Sequence, residues 1–203
     1  MKDILIRTRD ALLRRNFDAY AVESADEARA LILSWIGKTE SVTWGGSATI
    51  AEIGLVSALK EGGYLVYDRD EVSPKERADF AKEHFFSDWF LMSANAITEE
   101  GELLNLDGNG NRVASLIFGP KNVVVVAGIN KITPDIETAY ARVRQVAAPR
   151  NAQRFDINTP CKKTGKCADC LSPDTICASL VRTRFSRQKG RVKVILIDEE
   201  YGF

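Results

Sequence analysis

Four cysteines, Cys161, Cys167, Cys170 and Cys177, are the whole thiol complement of this 203-residue chain, and all lie in one short segment. Two thiolates spaced as Cys167 and Cys170 can grip one metal from a single turn. Pro160, Gly165 and Pro173 make the segment loop-like, and Lys162, Lys163 and Lys166 favour thiolates electrostatically. Four such ligands suit tetrahedral zinc or an iron–sulfur cluster. The spacing matches neither common ferredoxin pattern, so both stay open. In an oxidising compartment the same residues would instead form two disulfides, whereas a reducing cytosol favours metal or redox chemistry.

A second constellation is Thr43-Trp44-Gly45-Gly46-Ser47-Ala48-Thr49. A strand enters this Gly-rich turn and a helix leaves it, so backbone amides can approach an anion closely. Gly45, Gly46, Ser47 and Thr49 are the candidate ligand-binding residues. The pattern is neither a Walker loop nor a dinucleotide fingerprint, and Ser47 also suits a plain helix cap. A third constellation, Asn95 to Glu102, follows a buried strand, where ligands of open α/β sheets collect. There Glu99 is the candidate base or nucleophile, and Asn95 the residue that orients a substrate. Exposed acidic turns are common, which weighs against this assignment. His84 is the only histidine, so a Ser-His-Asp triad and a His-rich metal site are disfavoured.

The elements that must position these groups read as alternating strands and helices. Residues 1–40 suggest two helices, the second opened by a Ser24/Glu27 capping box and closed by Gly37. A strand at 41–44, a helix to Gly62-Gly63, a strand at 64–67 and a helix from Ser73-Pro74 to about His84 follow. Strands are expected at 89–93, 103–106, 123–127 and 192–197, with a long helix opening at Thr133-Pro134 and running to about Val146. Asp107 to Asn111 is turn chemistry. This alternation implies an α/β fold, a mostly parallel sheet flanked by helices. Residues 1–203 read as a single domain, with 155–190 a cysteine-containing loop module. The three tryptophans, Trp35, Trp44 and Trp89, are expected in the core.

Lysine plus arginine and aspartate plus glutamate both number 28, so the net charge is zero. That balance gives no support to a nucleic-acid or membrane-surface partner. No run approaches the roughly 20 apolar residues of a membrane helix. The first residues lack the apolar region of a secretory signal. A cytoplasmic location is expected.

Several segments together resemble the LUD-domain family of lactate-utilisation proteins. They are TWGGSAT (43–49), SANAITEEGELLNLDGNGNRVA (93–114), VVVVAGINKI (123–132), RVRQVAAPRNAQR (142–154) and TPCKKTGKCADCLSPDTIC (159–177). The last resembles a subset of the family with a cysteine motif. The resemblance implies a fold like that of ribose-5-phosphate isomerase, glucosamine-6-phosphate deaminase and the CoA-transferases. It implies an anionic, carboxylate- or phosphate-bearing ligand at Gly45, Gly46, Ser47 and Thr49. It also implies the role of accessory subunit in L-lactate oxidation, beside iron–sulfur or flavin oxidoreductase subunits, with a homo-oligomer also open. The competing expectation is a stand-alone isomerase or acyl-transfer enzyme that uses Glu99.

Overall fold

The computed structural model describes residues 1–203. Its centre is a six-stranded, all-parallel sheet built from β1 (Asp18–Val22), β2 (Ser41–Trp44), β3 (Leu65–Val66), β4 (Trp89–Met92), β7 (Asn122–Gly128) and β10 (Val192–Ile197), in the order β1-β10-β7-β4-β2-β3. The centre of the sheet follows directly from sequence. Val123, Val124, Val125, Val126 and Ala127 are all fully buried, as a strand covered on both faces requires. Alternate side chains point to opposite faces. Val123 and Val125 pack with Leu5, Leu12, Phe17 and Leu116 on one face. Val124 and Val126 pack with Ile32, Ile50, Leu55 and Leu59 on the other. Each fully buried Val contributes roughly 1.5–3 kcal/mol.

Helices α1 (Asp3–Arg14) and α6 (Asn111–Ile117) cover the first face. The second is covered by α2 (Ala25–Trp35), α3 (Ala48–Glu52) and α4 (Leu55–Glu61). The Ser24 cap forms as expected and accepts from the Glu27 amide at 3.3 Å. Glu27 reaches back to the amide of Glu23 rather than to that of Ser24. The single helix expected after Ser47 is two helices, because Gly54 adopts a left-handed φ of +69° between α3 and α4. Helix α5 (Arg77–Glu83) starts later than Ser73-Pro74 suggests.

Four strands escaped the sequence reading. Strand β1, a five-residue piece between two helices, pairs with β10 at the sheet edge. Strands β5 (Ala96–Thr98), β8 (Ile132–Thr133) and β9 (Ser179–Thr183) join β6 (Leu103–Asp107) in a second sheet, ordered β8-β5-β6-β9. These strands are two to five residues long, too short for a period-2 pattern to show. The long helix expected from Thr133 is α7 (Ile136–Arg142), then a π-helical turn at Val143–Ala147, then α8 (Ala148–Ala152). The cysteine segment carries a further short helix, α9 (Pro160–Thr164). Trp44 and Trp89 are buried, and Trp35 is half-buried against Tyr20. No helix is long and apolar enough to cross a membrane.

Candidate functional site at the strand ends

Strand order reverses between β2 and β4: β3 lies to one side of β2, while β4, β7 and β10 step away on the other. In open α/β sheets the crevice at the carboxyl ends of the strands on either side of such a point is the usual ligand position. The structure brings three strand ends together at this point through one buried lysine. Lys131 sits in a 3₁₀ turn (Ile129–Lys131) directly after β7. Its Nζ donates to Thr49 Oγ1 at 2.7 Å and to Ser93 Oγ at 2.8 Å. Thr49 follows β2 and Ser93 follows β4, and both side chains are buried.

Lys131 is 3% exposed, and no carboxylate forms an ion pair with it. Burial lowers its affinity for a proton. The nearby positive charges of Arg142 and Arg112 lower it further, and Glu52 offsets this only in part. The amine is pushed down to about 7. Arg142 comes from α7 and donates from Nε to the Asn130 carbonyl at 3.0 Å.

Arg112 is the scaffold of the crevice. Its guanidinium donates to the Ser93 carbonyl, Asn105 Oδ1, Asn95 Oδ1 and the Leu106 carbonyl at 2.7–2.9 Å. Its aliphatic stem lies 3.2 Å from where a Cβ on Gly45 would stand, so a side chain here would press on Arg112. Gly46 lies against Arg69 in the same way, with a Cβ position 3.1 Å from Nη1. The amides of Gly46 and Ser47 find no acceptor within the protein. Ser47 caps α3 through the Ile50 amide at 3.3 Å. Helix α3 has only five residues and adds little dipole to the site.

The segment after β10 covers the crevice. Thr49 Oγ1 donates to the Tyr201 carbonyl at 3.3 Å, and Asn130 Nδ2 donates to the Gly202 carbonyl at 3.1 Å. The Gly202 amide donates to Glu52.

The other expected residues lie elsewhere or are already engaged. Asn95 Oδ1 accepts from the Leu106 amide and from Arg112, and the Asn95 carbonyl accepts from Arg142, so this residue holds loops together. Glu99 faces α1, where it pairs with Arg7 at 3.2 Å. It lines an open cleft of about 690 Å³ with Arg7, Arg14, Arg15 and Glu100, to which residues 45–49 contribute nothing. Gly101, at φ +84°, packs directly on the α1 backbone, since a Cβ would stand 2.6 Å from Leu12 N. Glu102 is buried and paired with Arg15 at 3.1 Å and with Arg182 of β9 at 2.7 Å. The Glu-rich turn is thereby fixed between α1 and the second sheet. His84 stacks on Tyr67 with ring centroids 4.0 Å apart.

All four cysteines are free thiols, each half-buried. Cys161 contacts Thr159 at 3.3 Å and Cys177 contacts Thr175 at 2.9 Å. Cys167 accepts from Arg144 of the π-helical turn at 3.3 Å. No three His, Cys, Asp or Glu side chains converge where they could hold a metal ion. In this arrangement the thiols do not fit a zinc ion or an iron–sulfur cluster. Burial raises the Cys167 thiol, but the Arg144 hydrogen bond, the Asp169 amide and the Arg144 charge outweigh it, and the net shift is downward.

Sequence reasoning missed Lys131, Ser93, Arg112 and Arg142. The available signal was Lys131 itself, a charge closely following a continuously buried apolar strand. Such a residue must either turn to solvent or serve the strand end.

Fold and crevice together define a parallel α/β protein with its polar groups gathered at the sheet's switch point. The sequence model of the LUD domain matches residues 5–197, and the chain belongs to the LUD-domain family. Among solved structures, a DUF162 family protein from Deinococcus radiodurans is similar, with a TM-score of 0.57, 16% identity and 96% of each chain covered. At that identity the likeness concerns the fold. An eIF2B beta from Chaetomium thermophilum shares 13% identity over 56% of this chain and 44% of its own, at a TM-score of 0.38, too low to carry an argument. No curated protein matches the sequence.

Proposed function

We propose that this LUD-domain protein binds a small carboxylate- or phosphate-bearing ligand in the switch-point crevice. It does so as an accessory subunit of L-lactate oxidation, beside iron–sulfur or flavin oxidoreductase subunits. The observation that carries the binding half is the charge beside Lys131. Arg112 and Arg142 converge there, and Arg142 takes part in no ion pair. The amides of Gly46 and Ser47, at the end of β2, have no acceptor within the protein. An anion would supply the missing counter-charge and acceptors. Gly45, Gly46, Ser47 and Thr49 form the wall of this site in the proposal, and Arg142 its cation. The lactate-oxidation half rests on family membership.

The test is a thermal-shift titration with L-lactate, pyruvate and inorganic phosphate. A rise in melting temperature with one of them, lost in Arg142→Ala, supports the site. No response to any would remove it. The assembly half is tested by affinity purification from cells grown on lactate; failure of any oxidoreductase subunit to co-purify would remove that half.

A metal or cluster on Cys161, Cys167, Cys170 and Cys177 belongs to the proposal only as a loaded state. The 161–177 loop would have to fold into it, because no three of the thiols now converge. Elemental analysis after anaerobic purification decides. Stoichiometric zinc, or iron with sulfide, supports the loaded state, and four titratable thiols without metal remove it. The isomerase or acyl-transfer reading through Glu99 gains no contact from the structure, since that carboxylate is paired with Arg7.

A further inference from the structure

We propose that Lys131 is a nucleophilic amine that captures the carbonyl carbon of an oxo acid as an imine. The proposal rests on the crevice reading above and names the ligand class within it.

The hydrogen bonds at Nζ suit an amine better than an ammonium. Lys131 donates to Thr49 Oγ1 and to Ser93 Oγ. Thr49 in turn donates to the Tyr201 carbonyl and Ser93 to the Ala94 carbonyl, each at 3.3 Å, so both hydroxyls are free to accept from Nζ. Two N–H bonds of a neutral amine are thereby satisfied. An ammonium would carry a third N–H and a charge, and no carboxylate pairs with it here. Arg112 from α6 and Arg142 from α7 add positive charge, and Glu52 of α3 is the carboxylate that offsets it. A desolvated lysine beside other cations is the environment in which this side chain becomes a nucleophile.

Gly202 lies beside Nζ. A Cβ at residue 202 would stand 3.2 Å from Nζ and 2.5 Å from Thr49 Oγ1. The segment at 201–202 therefore lies over the amine, held by polar contacts to Thr49, Asn130 and Glu52. Its carbonyls accept from Thr49 and Asn130, groups that an incoming acid's oxygens would take over once the segment lifts. Arg142 and the Gly46 and Ser47 amides favour a ligand with an anionic group.

In the reaction the Nζ lone pair bonds to the carbonyl carbon and the C=O π pair moves to oxygen. That oxygen takes up protons equal in number to those leaving Nζ and departs as one water, leaving the C=N bond. No oxidant or reductant is consumed. The Thr49 and Ser93 hydroxyls, hydrogen-bonded to Nζ, are placed to pass these protons.

The experiment incubates the full chain with pyruvate or glyoxylate and cyanoborohydride, which fixes an imine as a stable amine. Intact mass and peptide mapping then locate the adduct. A single adduct on Lys131, lost in Lys131→Met and increased in Gly202→Ala, where the new Cβ pushes the covering segment off, is expected. Adducts spread over surface lysines, unchanged in Lys131→Met, would overturn it. A thermal shift run in parallel with pyruvate and L-lactate separates the two readings. Stabilisation by both acids without an adduct in wild type or Gly202→Ala sinks the nucleophile and leaves the anion site standing. Neither stabilisation nor adduct sinks both. Mapping on the wild-type chain keeps the test decisive if a variant fails to fold.

Discussion

At Lys131 the crevice is defined by a single proton. Its ordinary value is 10.5, and the folded environment lowers it to about 7. Below about pH 7 both folded and unfolded chains hold the proton, and the full penalty of burying charge is present. Between about pH 7 and 10.5 the unfolded chain holds the proton and the folded chain does not. Stability therefore rises with pH across that window. Lys131→Met removes the titrating group, and its stability should lack this rise. Urea unfolding at pH 6 and pH 9 for both proteins checks it; equal slopes would mean the amine is charged throughout. Cys167 makes a second prediction at this scale. Its lowered thiol should alkylate with iodoacetamide faster than Cys161, Cys170 or Cys177 at neutral pH, and Arg144→Gln should remove that advantage. Peptide mapping of a short alkylation time course measures both.

Between strands and helices, one contact holds the crevice and another fixes the Glu-rich turn on α1. Arg112 is bonded to four acceptors, two from the loop after β4 and two from β6, and of these Asn95 Oδ1 alone keeps a second donor, the Leu106 amide, without it. Arg112→Ala is expected to cost about 3–5 kcal/mol, as for loss of one partner from a buried charged network. Arg112→Lys should recover only a fraction, because an ammonium cannot span the same fork. Denaturant midpoints for the two variants test the ranking. Gly101→Ala forces a Cβ into the α1 backbone and onto a positive φ, and a loss on the order of 1–3 kcal/mol or more is expected from the strained conformation alone. A midpoint unchanged from wild type would mean that the turn and α1 separate freely.

What was readable in the sequence separates at this same scale. Val123 to Ala127, the Ser24 cap and the Gly45-Gly46 turn were legible because each encodes its state locally, by run length, cap chemistry or backbone freedom. Strands β5, β8 and β9 were not, because two to five residues hold no period and their pairing is decided by partners far along the chain. The candidate site was legible only in part. The Gly-Ser turn was readable as a turn, but Lys131 lies 82 residues from Thr49 and meets it only through sheet order. Asn95 and Glu99 looked chemical by type, yet their tertiary partners, Arg112 and Arg7, turn them into fasteners.

Across the whole molecule, the cysteine segment is less separate than its composition suggested. Strand β9 pairs with β6 along five residues, and the backbone of Ile176 packs on Gly108, where a Cβ would stand 3.0 Å away. The loop is thus pinned to the Asp107–Asn111 turn, one residue from Arg112. Any rearrangement that gathered the four thiols would pull on the crevice scaffold.

The sheet order has a consequence for how the chain comes off the ribosome. Strand β10 lies between β1 and β7, although β1 is the first strand in sequence and β10 the last. While synthesis has reached only residue 190, β1 has no neighbour and β7 offers an open apolar edge. Until β10 has been synthesised, nascent chains of this protein therefore carry an incomplete sheet with an exposed apolar edge, a state prone to aggregation. Completion by one strand inserted between two waiting ones also concentrates long-range pairing into a single late event, so folding should be slow for a domain of this size.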